Sequence, residues 1–474
     1  MPATPPPAAP SAHDDSPGRI PQHGTSPQPD VPSLRDAIFA NQQCWLDRLA
    51  TSRPYPRQPG FAPPTPATAE RLWADGGLTL TRTGRSGVIM APGPSDQPIA
   101  AHTIDRVLAW LRTRGSGDVL IWAPTPRPDL EIALLARGAR DSFAPHWMWR
   151  PLDRPVPAFT PPAHIEIRLA TAADRDDILA NPAIPYLDAD QLATMLALGA
   201  PSMTGGPVIR VVIAREGGLL RRNRVIGMGA VNLDARGPRA AANLFNLGVD
   251  PAARGRGIGT ALTLAALAIA RQDGAAGLGL NATPDGERVY RKLGFRSIGS
   301  GQTWFLPAAR LRHPPDDETV AFGEALARGE LAALDPGMAG LADLPMLPNG
   351  EAPVVFAARF VANGRAEAVV RWLLRWGAAP DIVALWTVGL RDEVAALMAD
   401  PRFRDRRSGP NATTPLHDAI ERDDLELARA LVAAGANRHI RDIQYHGTAA
   451  DWARALHRPE IAALLAETEP RRPS

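Results

Sequence analysis

The residues whose types and spacing could do chemistry run from Val249 to Thr260, read as Val249-Asp250-Pro251-Ala252-Ala253-Arg254-Gly255-Arg256-Gly257-Ile258-Gly259-Thr260. A strand-like run, Leu244 to Val249, precedes the turn and an apolar helix, Ala261 to Arg271, follows it. A glycine-rich turn between strand and helix offers backbone N–H groups at the positive end of the helix dipole. Its missing side chains let a pyrophosphate come close. The ligand class is a phosphorylated cofactor. A nucleoside-triphosphate loop would carry Gly-Lys-Ser/Thr, absent here. A dinucleotide fold would place Gly-x-Gly-x-x-Gly in its first strand-helix turn, whereas this turn follows several antiparallel-looking strands.

The elements that must position this turn alternate between strand and helix, which predicts an α/β domain. Ile165 to Leu169 alternates with period two; Val208 to Ala214 and Val225 to Val231 read as strands joined by a polar hairpin, Arg215 to Arg224. After the long helix, Gly277 to Ala282 reads as a strand and Asp285 to Leu293 as a short helix ending Tyr290-Arg291-Lys292-Leu293-Gly294-Phe295.

The pairing of Val-x-Pro-x-x-Arg-x-x-Gly-x-Gly with Tyr-x-x-x-Gly-Phe resembles the GNAT N-acetyltransferase superfamily over about residues 163 to 306. The resemblance implies that a bulge splays the strand before the turn and that acetyl-CoA is the cosubstrate. Val249 would then contact the pantetheine arm and thioester, and the amides of Arg254, Gly255, Arg256, Gly257, Ile258, Gly259 and Thr260 would hold the pyrophosphate. Tyr290 would protonate the departing thiolate, for which a phenol of ordinary pKa about 10 is suited. The amine would attack directly, with no covalent enzyme intermediate. Relatives often carry a Glu on the strand before the turn; here it offers Asn243 and Asn246, with Asp234 as a distant candidate base. Thr283 stands where many relatives have Asn, and Asp188 and Asp190 could meet one ammonium.

The 474 residues suggest about three domains on a prior of roughly 150 residues each. Residues 1 to 32, rich in Pro, Ser, Ala and Asp, read as a disordered tail. A first region, 33 to 153, looks like a degenerate GNAT-like lobe. Its helical patterning lies at Ala37 to Leu49 and Ile104 to Arg112, and Trp147-Met148-Trp149 is its last strand. Its candidate loop, Ala91 to Asp96, lacks the glycine pattern, so this lobe is expected to pack against the other without binding CoA. A proline-rich linker, 154 to 162, leads to the GNAT domain at 163 to 306, and a second linker spans 307 to 316.

Beyond it, Thr414-Pro415-Leu416-His417 opens a unit that recurs 34 residues later at Thr448, with Glu426 and Glu460 each 12 residues after their Thr. This resembles the ankyrin repeat, an all-α solenoid of helix pairs that recruits a protein partner or substrate. About five units are expected over 317 to 468, followed by a tail at 469 to 474. His417 should satisfy turn hydrogen bonds, and Trp372, Trp376, Trp386 and Trp452 should pack between repeats. Arg402 to Arg407 reads as a solvated charge run, with an acidic partner as the alternative.

A formal charge of +2 without a Lys/Arg block disfavours nucleic acid. Lys292 is the only lysine, an arginine bias typical of GC-rich coding. Cys44, the only cysteine, excludes an internal disulfide or a cysteine metal cluster, and no metal is expected. No apolar run suffices to span a membrane, so a cytoplasmic setting is expected. The alternatives to a transferase recruited by its repeats are a catalytically idle binding module and an enzyme acting on a small-molecule amine.

Overall fold

The computed structural model describes residues 34–42, 71–73, 78–83, 86–91, 99–185, 189–199, 209–218, 221–234, 241–334, 336–361, 364–409 and 411–467. The expected tails 1–32 and 469–474, residues 43–49 of the first expected helix, the loop 92–96 and Asp188 lie outside these residues. So do the side chains of Asp190 and Asp234.

The first 153 residues contain helix α1 (34–42) and strands β1 (Arg71–Trp73), β2 (Thr79–Thr83) and β3 (Ser86–Met90). Helix α2 (Ala101–Thr113), strand β4 (Val119–Ala123), helix α3 (Pro128–Ala136) and strands β5 (Arg140–Asp141) and β6 (His146–Pro151) follow. The next stretch holds β7 (Ile165–Leu169), α4 (Arg175–Leu179), α5 (Ala189–Leu198), β8 (Ile209–Gly218), β9 (Arg221–Asp234) and β10 (Ala241–Val249). It closes with α6 (Ile258–Gln272), β11 (Gly277–Ala282), α7 (Pro284–Lys292), β12 (Arg296–Ser300) and β13 (Gln302–Leu306). Two mixed sheets result, ordered β1-β2-β3-β4-β13-β5 and β12-β6-β11-β10-β9-β8-β7.

The last strand of each lobe therefore sits in the other lobe's sheet. β6 runs antiparallel to both β11 and β12, with Met148 opposite Leu280 and Ser297. β13 runs antiparallel to both β4 and β5. Trp147-Met148-Trp149 is a strand, as expected, but it completes the second sheet, so a cut at 154–162 separates a strand from its own layer. The reason is local. One residue, Gly301, separates β12 from β13, fewer than the two a tight hairpin needs, so the chain runs on instead of turning back. A Cβ on Gly301 would lie 2.4 Å from the Ala123 carbonyl oxygen and 2.9 Å from Trp147 Nε1, because the two crossing chains pass at that point.

Trp147 and Trp149 face α1, whose Leu34, Ile38 and Phe39 pack on them with Ala241 and Ile298. Met148 faces the opposite core, with α6 and α7. The expected polar hairpin at Arg215 to Arg224 forms as an antiparallel ladder, with β8 paired to β9 as far as Gly218 opposite Arg221. Two of its arginines are paired: Arg215 meets Asp174 at 3.2 Å and also pairs with Asp177, and Arg224 meets Asp250 at 3.1 Å.

The stretch 307–316, expected as a linker, contains α8 (Ala308–Arg312). Leu311 is buried, and its carbonyl accepts from Arg112 Nε at 2.8 Å. Helix α9 (Asp317–Arg328) then packs on α3, with Gly323 against Ala136, while Arg137 bridges Glu324 (2.7 Å) and Asp105 (2.6 Å). Four helix pairs follow: α10 (Pro353–Phe360) with α11 (Ala366–Arg375), then α12 (Ile382–Thr387) with α13 (Arg391–Ala399). After the short α14 (Pro401–Arg404) come α15 (Pro415–Glu421) with α16 (Leu425–Ala433), and α17 (Ala449–Ala455) with α18 (Pro459–Glu467). One apolar core runs from Ile121 and Trp304 through Phe322 and Phe356 to Leu465, so the repeats share their core with the first lobe.

Within the repeats, His417 Nδ1 meets the Thr414 amide and hydroxyl, and its Nε2 meets the Gly447 carbonyl. Trp386 and Trp452 donate their indole N–H to Asp424 and Asp442, both at 2.9 Å, and Trp376 stays exposed. Among the described residues no helix is long and apolar enough to cross a membrane.

Gly301→Val should lower stability by about 3 kcal/mol, because the neighbour it meets is backbone and cannot swing away. Thermal unfolding followed by circular dichroism checks it; an unchanged midpoint contradicts the crossing. Burial lifts the Asp418 carboxyl to about 6. A raised folded pKa means the folded state holds the extra proton, so stability falls as pH rises from about 4 to 6. Asp418→Asn should remove that slope and stabilise the protein at pH 8 by about 2 kcal/mol, measured by urea unfolding at pH 4 and 8.

Candidate functional site

β10 runs parallel to β11 from Ala241 opposite Gly277 to Leu244 opposite Leu280, and the pairing stops there. On its other side β10 stays joined to β9 as far as Val249 opposite Gly227, across a register shift between Phe245 and Gly248. Asn246, at the shift, has φ +49. A bulge adds a residue to one strand and bends it, so the last five residues of β10 turn away from β11 and a cleft opens between them. The splay matches the expectation for this strand.

Asp250 N–H points back to β9, onto the Ile226 carbonyl at 2.9 Å. Successive amides of an extended strand alternate in direction, so the Val249 N–H faces the side that β11 has left. Arg254 Nε reaches the Val249 carbonyl at 3.4 Å.

The glycine turn lies at the end of this cleft. Gly255 and Gly257 have φ +76 and +77, left-handed values that cost other residues about 1 to 2 kcal/mol. Gly257 is the N-cap of α6, and no side chain caps it. The first intrahelical bond is Ala261 N–H to Gly257 O at 3.0 Å, which leaves the amides of Ile258, Gly259 and Thr260 ahead of the ladder. A Cβ on Gly255, Gly257 or Gly259 would meet nothing within 4 Å, so the backbone is open to an approaching group. Ile258 buries its side chain in the α6 core and has only its amide to offer. Arg256 is held at 2.7 Å by the buried Glu216 of β8.

The root of the turn is pinned. Asp250 accepts from Asn181 Nδ2 and from the Ala252 amide, both at 2.9 Å, and the Arg224 guanidinium lies 3.1 Å away. The Asn181 hydrogen bond, with Ala252 and Arg224, holds this carboxyl below the ordinary range despite its burial. It is an anchor rather than a proton acceptor. The segment after Asn181 lies over the bent strand, where a Cβ on Gly248 would come 2.5 Å from the Pro185 carbonyl.

Tyr290 is buried in the core under α7, its ring 5.7 Å from Phe295 and pressed along the helix against Gly286. Thr283 caps the same helix, its hydroxyl accepting from the Gly286 amide at 3.2 Å, so the residue standing for the relatives' Asn holds the helix start. Asn243 is consumed by α1, donating to the Ile38 carbonyl at 2.9 Å. Asp234 pairs with Ala241, four residues along β9 from Ala230 and roughly 13 Å from the bulge.

Sequence reading passed over His146. It begins β6, the strand supplied by the first lobe, and stands opposite Ala282 at the end of β11. Its Nε2 meets Ser297 Oγ at 2.8 Å and its Nδ1 meets Glu287 at 3.3 Å, one turn ahead of Tyr290 on α7. Only an exchanged strand brings it there, and no linear motif marks it. Among the described residues of the first lobe, β3 and β4 do not splay: they stay paired through Met90 opposite Trp122, and Ala91 N–H still reaches the Trp122 carbonyl at 2.8 Å.

Residues 208–297 match the family model described as an acetyltransferase (GNAT) domain, and residues 412–443 match that of the ankyrin repeat. Among solved structures, a GCN5-related N-acetyltransferase from Kribbella flavida is 19% identical, with 59% of this chain and 98% of that chain covered at a TM-score of 0.41. One from Sphaerobacter thermophilus is 15% identical, covering 59% and 96%, with a TM-score of 0.38. A tandem GNAT protein from the clavulanic acid biosynthesis pathway is 18% identical, covering 61% and 98%, with a TM-score of 0.36. No curated protein matches the sequence.

Gly257→Val should weaken acetyl-CoA binding at least about tenfold, through left-handed strain and a side chain in the anion's path. Isothermal titration checks this; an unchanged Kd removes the turn from the binding site.

Proposed function

On the premise of a GNAT acetyltransferase domain with ankyrin repeats behind it, we propose that the protein is an acetyl-CoA-dependent N-acetyltransferase. It acts directly on an amine acceptor, and its repeats recruit a protein partner or the substrate. The observation that carries the reading is one cleft with two ends. At one end β10 parts from β11 beside Val249; at the other lie the uncapped amides of α6 and the left-handed Gly255 and Gly257.

The turn amides from Arg254 to Thr260 hold the pyrophosphate, assisted by the helix dipole. Val249 N–H holds the acyl-pantetheine arm along the bent strand and meets the charge that develops on the thioester oxygen. The acceptor nitrogen attacks the carbonyl carbon, the carbon–sulfur bond breaks, and the electron pair leaves on sulfur. Tyr290 gives that sulfur its proton and recovers one from solvent. The acceptor nitrogen loses its own proton to water, since Asp250 is committed to Asn181 and Arg224, and Asp234 is remote. Glu287 and His146 hold α7, and with it Tyr290, in place.

Tyr290→Phe should lower kcat about 100-fold while leaving the acetyl-CoA Kd within about threefold. The assay is free CoA release on a panel of peptides and small amines; an unchanged rate at the pH optimum removes the acid role. Tight acetyl-CoA binding without turnover on any acceptor would mark the domain as a binding module.

A further inference from the structure

The last two connections of the repeat array form a pair of stiff fingers. The first, described at 405–409 and 411–413, is closed by a bridge between Ser408 and Thr413. The second, 436–447, is folded around the buried Asp442 carboxylate. That group takes the amides of Tyr445 (2.6 Å), Gln444 (2.8 Å) and Gly447 (2.9 Å), and the Trp452 indole N–H (2.9 Å). Burial alone would raise this carboxyl, but the four donors hold it well below the usual range. The fingers are tied together by Ile443 N–H to the Asn411 carbonyl (2.9 Å), Asn437 N–H to Asp405 (2.7 Å), and Arg407 to the Arg441 carbonyl.

This scaffold turns two apolar side chains to solvent, Ile443 at 55% and Tyr445 at 69% exposure. Both sit on backbone that is internally satisfied, so their exposure is built in. The charge beside them is one-sided. Several guanidiniums elsewhere in the array face carboxylates: Arg371 with Glu367 and Glu393, Arg402 with Asp400, Arg454 with Asp451, Arg458 with Asp423. On the fingers, Arg407 bonds to the carbonyl oxygens of Ala412 and Arg441. Arg441 bonds to the His446 carbonyl and comes no nearer than 3.8 Å to Asp451. Arg406 is exposed and has no side-chain hydrogen bond or ion pair among the described residues. The two acids of the fingers face inward, Asp442 onto its four donors and Asp405 onto Asn437.

We propose that these paired fingers bind an acidic segment of a partner polypeptide that carries an apolar side chain. Carboxylates meet Arg406, Arg407 and Arg441, and the apolar residue lies against Ile443 and Tyr445. This rests on the reading of the array as a recruiting surface and gives that surface a chemistry. A polypeptide fits better than a nucleic acid, because the cations span two fingers instead of a stripe and apolar area adjoins them.

The test is fluorescence anisotropy on the full chain with a labelled ten-residue peptide of Asp and Glu around one central Leu. Binding should weaken with added salt and fall at least tenfold in the Arg406→Glu/Arg441→Glu double variant, provided its thermal unfolding matches the parent. The milder Arg406→Gln/Arg441→Gln pair should show a smaller loss, and Tyr445→Ala a loss of several-fold. Arg402→Glu, neutralised by Asp400 off the fingers, should change nothing. Equal binding by the charge-reversed pair overturns the proposal. So does equal affinity for a Lys counterpart, or tighter binding of a single-stranded RNA with the same sensitivity to the variants. Panning random peptides on the same full chain separates the two levels. Selected peptides indifferent to the finger variants overturn the fingers but keep a recruiting array, whereas no selected peptide counts against both.

Discussion

The exchange of last strands is the constraint on which the rest of the structure depends. β6 closes the second sheet between β11 and β12, and β13 closes the first between β4 and β5. Each lobe therefore lacks a central strand without the other, and breaking either insertion would leave unpaired ladder groups on two neighbours at once. The consequences spread outward. α1 finds its groove over Trp147 and Trp149, and α9 docks on α3 beside the sheet that β13 completes. The three regions read along the chain are thus interlocked: the lobes exchange strands, and one core runs from the first lobe to the last repeat.

The cleft inherits its geometry from that interlocking. Its floor is the bend at Asn246, its far wall is β11, and β11 is held in line by β6 from the other lobe. Electrostatics then sorts the nearby groups. Asp250, Glu216 and Glu287 each face a guanidinium or an amide, so the carboxylates around the turn serve to hold backbone. The amides at the start of α6 have no side-chain cap and sit on an open glycine turn, where a negative ligand gains from the helix dipole.

Much of the site was legible in the residues. The strand, the glycine turn, the apolar helix and Tyr290 follow one another closely, and their local pattern sets their structure: apolar periodicity for α6, positive φ at glycine for the turn. The ankyrin helix pairs were legible for the same reason, since each unit repeats its own punctuation, Thr-Pro-Leu-His at a helix start and Gly-Ala at its end. What was misread involved distance. The Arg215–Arg224 hairpin showed none of its partners, because Asp174, Asp177 and Asp250 lie far along the chain. Residues 307–316 looked like a linker because the surface that buries Leu311 belongs to α2.

The sequence by itself determined the strand, turn and helix from Leu244 to Arg271 and where that stretch turns left-handed, because those properties depend on neighbours within a few positions. Only the tertiary structure decided that His146 of the first lobe stands at the second lobe's cleft and that Asn243 belongs to α1. Those outcomes depend on which strand fills which gap, and that choice is settled by packing between residues more than a hundred positions apart. A one-residue joint at Gly301 is the single local signal of it, and its meaning appears only where the two chains cross.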